Sequence, residues 1–352
     1  MTHNFFEHQA KIQAKITEVL TEARSTFTQF PMDEAIFEHL LAVSTKGKQF
    51  RGCLLTSFYA TVGEKKYLES AIILAAAVEL YGTALLIHDD IMDRSETRRG
   101  EVSTFKYFEN LAEEQKLKDP AHFGISTAIS VGDMLFFLAE SMLYDLEIPD
   151  ELKLKLSKIS AKELLALGLA QVEDLRMAVS SDTFDQDAIL KMYAGKTGRY
   201  TGRWPLELAA TLAEIDQDVV TKVCQVGEEI GVLFQLKDDE LGVFGDERVT
   251  GKSSTSDISE GKKTLYYLLL QEKISETETE AIFGVIGNAD ATQQQIDQVK
   301  EAIQIHGIFD HVHQIMNEKK EKIESDITSL EITTEGKRLL NQVCQVVLHR
   351  SK

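Results

Sequence analysis

His88-Asp89-Asp90-Ile91-Met92-Asp93 ends the most apolar window of the chain, Ala71 to Ile87, and Arg98-Arg99-Gly100 follows closely. A second apolar run, much later, ends in Gln235-Leu236-Lys237-Asp238-Asp239-Glu240. Carboxylates at the end of a buried helix carry a desolvation cost that only a partner offsets. On a helix Asp89 and Asp93 share one face, a turn apart. Two like charges so placed repel unless a cation lies between them. Mg²⁺ suits such a pair, because it takes oxygen ligands, needs few carboxylates and completes its octahedron with water and phosphate oxygens. One such dyad also describes a solvated helix end; two of them, each closing an apolar helix, form a pattern. In the second, Asp238 lies three residues after Gln235 on the same face, and Gln235 can donate to a phosphate or hold a metal-bound water.

Basic residues supply the complementary half. Gly47-Lys48-Gln49-Phe50-Arg51 puts Lys48 and Arg51 on one face near a helix start, where backbone N–H groups also favour anions. Arg98 and Arg99 follow the first acidic cluster. Lys196 and Thr197 interrupt an apolar helix, and Lys252 and Lys262 lie in the loop after the second cluster. Each alone reads as a surface residue. Together they carry charge for two diphosphates, one bound through metal and one held by Lys and Arg alone.

The bulk properties narrow the classes. The 352 residues include four Pro, and 43% of them are apolar, which favours long helices over turn-rich sheets. The net charge of −19 argues against a nucleic-acid or anionic-membrane surface. Cys53, Cys224 and Cys344 form no metal-ligand spacing and read as reduced core thiols of a cytoplasmic protein. The first residues show no signal-peptide pattern. The window Ala71 to Ile87 contains Glu79 and runs into His88-Asp89-Asp90, so a buried core helix is expected there in place of a membrane span.

Helical periodicity is expected over His8 to Phe30, Asp33 to Val43, Gln49 to Val62, Leu68 to Met92, Ile125 to Leu146, Glu151 to Met177, Asp187 to Ala213 and Val219 to Val243. It returns over 264–347, where Ser275-Glu276-Thr277-Glu278 forms a capping-box pattern. Residues 101–123 read as a loop or surface insertion, and Phe244 to Lys263 as a loop. No repeat and no linker divides the chain, so the expectation is all-α, one domain over 1–352.

At this point the chain resembles the trans-isoprenyl diphosphate synthases of the polyprenyl synthetase family. The likeness rests on Gly47-Lys48-x-x-Arg51, Asp89-Asp90-x-x-Asp93 with Arg98-Arg99-Gly100, Gly132-Asp133, Lys196-Thr197, Gln235-x-x-Asp238-Asp239, and Gly251-Lys252 through Asp257 to Gly261-Lys262-Lys263-Thr264. It implies a single helical bundle of the isoprenoid synthase type around a deep central cavity, usually a homodimer. By resemblance, Asp89, Asp93 and Asp238 bind Mg²⁺ that clamps an allylic prenyl diphosphate, and Asp90 and Asp239 support them. Arg98, Lys196, Thr197, Gln235, Lys252 and Lys262 would hold the same diphosphate, whereas Lys48, Arg51 and Arg99 would hold isopentenyl diphosphate without metal. The implied activity is head-to-tail prenyl transfer.

Two positions depart from the family pattern. Gly242 stands where a third Asp usually ends the second motif, and Gly82 stands where His or Gln commonly contacts isopentenyl diphosphate. These motivate a rival reading, a non-catalytic subunit that tunes an active partner. A cyclase on the same fold would not need Lys48, Arg51 and Arg99. For product length, Ala84 and Leu85 lie one turn before Asp89, where short-chain members carry aromatics. Tyr81 lies about 12 Å deeper at 1.5 Å per residue and is a candidate floor, with Phe136 and Phe137 as others. Geranylgeranyl diphosphate is the expected product, and a longer polyprenyl chain is the rival.

Overall fold

The computed structural model describes residues 5–180, 182–245, 258, 261–288 and 290–350, without the side chains of residues 276 and 277. Among the described residues the chain is helical apart from one two-stranded hairpin. It divides into two compact units. Met1–Ser160, Pro205–Val220 and Ile332–Leu339 make the first; Ala161–Trp204, Thr221–Glu331 and Leu340–Lys352 make the second.

The first unit is built on α1 (Gln9–Phe27), α2 (Asp33–Thr45), α3 (Phe50–Val62), α4 (Leu68–Met92), α5 (Thr104–Glu114) and α6 (Pro120–Tyr144). In α1, Ile12, Ile16, Leu20 and Ala23 recur at helical spacing and are all buried. Helix α4 is apolar on every side and is buried nearly all round, from Ala71 through Leu74, Val78 and Leu80 to Ile87. Each such leucine or isoleucine contributes about 1.5–3 kcal/mol by leaving water. Helices α4 and α6 are both long and apolar enough to cross a membrane, but 72% of the α4 window is buried inside the protein against 28% for α6. The exposed residues of α6 include Ile125, Ile129, Phe137 and Tyr144.

The loop expected over 101–123 contains α5. Its Phe105, Phe108 and Ala112 are buried and α5 packs against α6, while Lys106 and Glu109 between them are half-buried and Glu113 and Glu114 are exposed. The run of Glu and Lys masks that stripe when composition is read without period. The chain then turns at Asp119, whose carboxylate accepts the His122 N–H at the start of α6, with Pro120 in the first helical position.

The helix expected over Asp187 to Ala213 is three segments: α8 (Gln186–Tyr193), a wide π-helical stretch (Ala194–Arg203) and α9 (Trp204–Leu212). Within the second unit the π stretch packs backbone to backbone against α10 (Gln217–Phe244). A Cβ on Gly202 would sit 1.8 Å from the Gly227 carbonyl oxygen, and one on Gly231 would sit 2.6 Å from Gly198. The pairing of Gly198 and Gly202 with Gly227 and Gly231 permits this approach. The buried Glu163 of α7 (Asp150–Val179) fixes the same stretch, accepting from Arg199 at 2.7 Å with Arg203 3.6 Å away. Glu228 binds Arg203 from α10 at 3.3 Å.

The remaining helices are α11 (Leu265–Lys273), α12 (Glu276–Phe283), α13 (Gln293–Ile305), α14 (Ile308–Ser329) and α15 (Thr334–Leu348). The capping box is present at α12, where the Glu278 carboxylate accepts the Ser275 N–H at 3.1 Å.

Gly202→Ala is expected to cost about 3 kcal/mol of unfolding free energy in urea denaturation, since no flexible side chain can move aside for the new methyl group. Gly168→Ala is the control: its Cβ would meet no heavy atom within 4 Å among the described residues, so the gain in helix propensity is expected to leave stability level or raise it by up to about 1 kcal/mol.

Candidate active site

In the first unit the acidic motif ends α4. The Asp93 N–H donates to the Asp89 carbonyl at 2.8 Å, so the helical turn closes over Asp89 to Asp93. Asp90 is 3% exposed. Arg98 meets it through Nε at 2.5 Å and reaches Asp89 at 3.1 Å. Burial works against the Arg98 charge, yet Asp90, Asp89 and Asp93 together hold its pKa above the usual value. Arg98 is therefore a fixed bracket on the acidic end of α4.

A hairpin delivers that bracket. Strands β1 (Thr97–Arg98) and β2 (Glu101–Val102) pair antiparallel, with Arg98 opposite Glu101. The two turn residues, Arg99 and Gly100, have φ of 55° and 76°, which is what a tight two-residue hairpin turn requires. Arg99 then donates to the Lys46 carbonyl at 2.8 Å. Gly47, at φ 97°, makes room for it: a Cβ there would lie 2.6 Å from a guanidinium nitrogen of Arg99. Two sequence motifs, Gly47-Lys48 and Arg98-Arg99-Gly100, thus form one local structure. Between them and α5 lies a cavity of about 360 Å³ lined in part by His39, Leu86, Ile87, Arg98, Arg99 and Tyr107.

The expected anion site at the start of α3 is changed in one respect. The Gly52 N–H donates to the buried carboxyl group of Glu79 at 2.7 Å, so that helix end already has an acceptor. Lys48 and Arg51 remain beside it as side-chain cations.

In the second unit the acidic motif lies in the last turns of α10. Asp239 is 3% exposed. It accepts from Tyr193 of α8 and from the Gln235 amide at 2.7 Å. The Gln235 amide oxygen accepts from Thr197 at 2.6 Å. The Tyr193 oxygen in turn accepts the Leu265 N–H at 3.0 Å. Gln235 therefore bridges Thr197 to Asp239, the residue one turn on. Lys196 binds Asp174 of α7 at 2.6 Å. Asp238 is more open and is met by Arg350 at 3.0 Å, whose guanidinium lies 3.9 Å from the Phe234 ring centre. Lys252 lies outside the described residues, as does most of the loop expected over Phe244 to Lys263; Lys262 is within them.

Asp174, Tyr193, Glu79 and Arg98's grip on Asp90 complete what spacing left out. Glu79 is an acidic residue inside an apolar helix, a signal visible in the sequence; Asp174 lies in the charged run Glu173-Asp174-Leu175-Arg176 and has no such signal. Tyr193 gave none. Of the length candidates, Ala84 is fully buried, Leu85 is half-buried, and Tyr81 is buried with its hydroxyl donating to Glu140 at 2.6 Å. Phe136 lies 5.9 Å from the Tyr81 ring, but Phe137 is 76% exposed. Adjacent helical residues differ by about 100° in direction, which separates these two.

The donor set suits Mg²⁺. Among the described residues no three His, Cys, Asp or Glu side chains converge as a closed metal cage. Each acidic motif instead offers a few carboxylate oxygens, the arrangement of an ion that keeps water and phosphate as its other ligands. Arg98→Ala is expected to cost about 3–5 kcal/mol in urea denaturation by leaving Asp90 buried and uncompensated. The double variant with Asp90→Ala should lose less than the sum of the two single variants.

The polyprenyl synthetase family profile matches residues 34–304. The geranylgeranyl diphosphate synthase of Saccharolobus solfataricus is 30% identical over 281 residues, 79% of this chain and 77% of that one. The geranylfarnesyl diphosphate synthase of Aeropyrum pernix is 28% identical over 318 residues, 88% of this chain and 92% of that one. Among solved structures, the Corynebacterium glutamicum geranylgeranyl pyrophosphate synthase, complexed with isoprenyl diphosphate and magnesium, superposes with TM-score 0.92 at 28% identity, covering 99% of both chains. Match length and motif content agree: the chain belongs to the polyprenyl synthetase family and is an enzyme of the prenyltransferase class.

Proposed function

We propose that this enzyme condenses isopentenyl diphosphate head-to-tail with an allylic diphosphate, depends on Mg²⁺, and makes all-trans geranylgeranyl diphosphate and diphosphate. The observation that carries the reading is the built acidic end of α4, where Arg98 holds Asp90 and Asp89 within reach of one guanidinium. A surface dyad needs no such bracket.

In this reading Asp89, Asp93 and Asp238 hold the metal, with Asp90 and Asp239 as their supports. Bound Mg²⁺ would neutralise the departing diphosphate. Arg98, Lys196, Thr197, Gln235, Lys252 and Lys262 serve the same group from the chain itself, where negative charge develops. Lys48, Arg51 and Arg99 hold isopentenyl diphosphate. The allylic C–O bond breaks, the isopentenyl double bond attacks the resulting carbocation, and a proton leaves to restore the alkene. Positioning of the two substrates supplies much of the rate, and apolar walls keep water from the cation.

Ala84 leaves the first turn open, and Tyr81, tethered to Glu140, supports a floor deeper along α4. The relatives quoted above include both geranylgeranyl and geranylfarnesyl synthases, so the longer product is the rival. The exposed Ile125, Ile129, Phe137 and Tyr144 of α6 support a second copy as partner in a homodimer. Three free, buried cysteines and the acidic charge support a cytoplasmic setting, with residues 1–352 acting as one catalytic domain.

The test is product analysis with isopentenyl and farnesyl diphosphates and Mg²⁺. A single alcohol one isoprene unit longer, after dephosphorylation, is the expected result. A ladder of longer alcohols would move the floor beyond Tyr81, and no elongation of any starter would favour the partner-subunit reading. Asp89→Asn is expected to lower kcat by about 10²-fold or more.

A further inference from the structure

Glu79 is the one acidic residue in the apolar window Ala71 to Ile87, and the mechanism above gives it no part. It lies ten residues before Asp89, deep in α4. Its carboxylate accepts the Gly52 N–H at 2.7 Å, and the Arg51 N–H also donates to it. Gly52 allows the contact, since a Cβ there would lie 3.2 Å from the Glu79 side chain and 3.2 Å from the Ala75 carbonyl oxygen. The cations that act on Glu79 electrostatically are Arg51 and then Arg99. Both belong to the set assigned to isopentenyl diphosphate. Burial holds the Glu79 pKa above the usual carboxylate range, and these two guanidiniums and the two N–H groups offset part of that rise.

A buried carboxylate in an apolar helix costs several kcal/mol unless its partners are fixed. Here the partners are the first turn of α3 and two arginines arriving from different segments. Arg51 comes from α3 itself, and Arg99 comes from the hairpin that also grips Lys46. One carboxyl group therefore ties α4 to the start of α3, and the Arg99 guanidinium of the hairpin turn is among the charges that act on it. It also consumes the α3 helix-end donors that a diphosphate would otherwise use, leaving recognition to side chains. Gly82, three residues on, offers no side chain from α4 to the same subsite, which places more of the orienting work on the arginines.

We propose that Glu79 is the positioning residue of the isopentenyl diphosphate subsite, fixing the start of α3 and setting the orientation of Arg51 and Arg99 from behind. It touches neither substrate. The inference rests on the assignment of Arg51 and Arg99 to isopentenyl diphosphate.

The test is steady-state kinetics with both substrates varied, on Glu79→Gln, Glu79→Asp and Arg51→Gln in the full chain. Glu79→Gln is expected to raise KM for isopentenyl diphosphate about tenfold while kcat and the allylic KM stay within about twofold, because only ground-state binding of one substrate is loosened. Glu79→Asp keeps a carboxyl group one methylene shorter and is expected to show the same split in smaller measure. Should Glu79→Gln fail to fold, the Asp variant carries the test alone. An unchanged isopentenyl KM in a folded Glu79 variant, with Arg51→Gln raising it, overturns the proposal and leaves the subsite standing. Equal rises in both KM values mark a general structural role and also overturn it. An unchanged KM in Arg51→Gln removes the subsite assignment and the proposal together.

Discussion

Charge held at the margin of an apolar helix is the constraint on which both units depend. An unpaired buried carboxylate costs several kcal/mol, comparable to the whole stability of a domain. Four of the buried acids have a dedicated partner: Arg98 for Asp90, Tyr193 and Gln235 for Asp239, the start of α3 for Glu79, and Arg199 for Glu163. These contacts do more than remove a cost. They fix the side chains whose neighbours, Asp89 and Asp238, are the more open carboxylates. Rigid inner acids with accessible outer acids suit a site whose ion must also accept water and phosphate.

Glycine sets where these partners can come together. Gly47 admits the Arg99 guanidinium, and the pairing of Gly202 with Gly227 brings the π stretch against α10. That contact places Thr197 within 2.6 Å of Gln235. An ordinary α-helix of the same sequence would advance its side chains differently, and π segments recur at functional positions. The wide turn is held from the other side by the Glu163, Arg199, Arg203 and Glu228 ion pairs.

Much of this was legible in the sequence. The apolar window ending in His88-Asp89-Asp90 forms α4, and the periodicity of Ile12, Ile16 and Leu20 forms α1. Asp89 and Asp93 stand out by spacing alone, and they close the last turn of α4. The amphipathic α5 was hidden because its charged residues outnumber the buried Phe105, Phe108 and Ala112. The break at Tyr193 was hidden because a π stretch has no composition of its own beyond spaced glycines. Tertiary partners were the hardest to see. Nothing in the local sequence joins Tyr193 to Asp239 or Lys196 to Asp174, since those pairs exist only once helices pack. Gln235 shows the limit of spacing: its neighbour at three residues is Asp238, but its bond goes to Asp239.

The central claim is that two diphosphates are held by different chemistry, one through carboxylate-bound metal and the other through arginine and lysine alone. Calorimetric titration of isopentenyl diphosphate, and separately of a non-reactive allylic thiolodiphosphate, with Mg²⁺ and then with EDTA, tests it directly. The account predicts that EDTA weakens the allylic analogue by about 100-fold or more, roughly 2.7 kcal/mol, and changes isopentenyl diphosphate by less than about threefold. Equal dependence of both ligands on Mg²⁺, or allylic binding indifferent to EDTA, would contradict it.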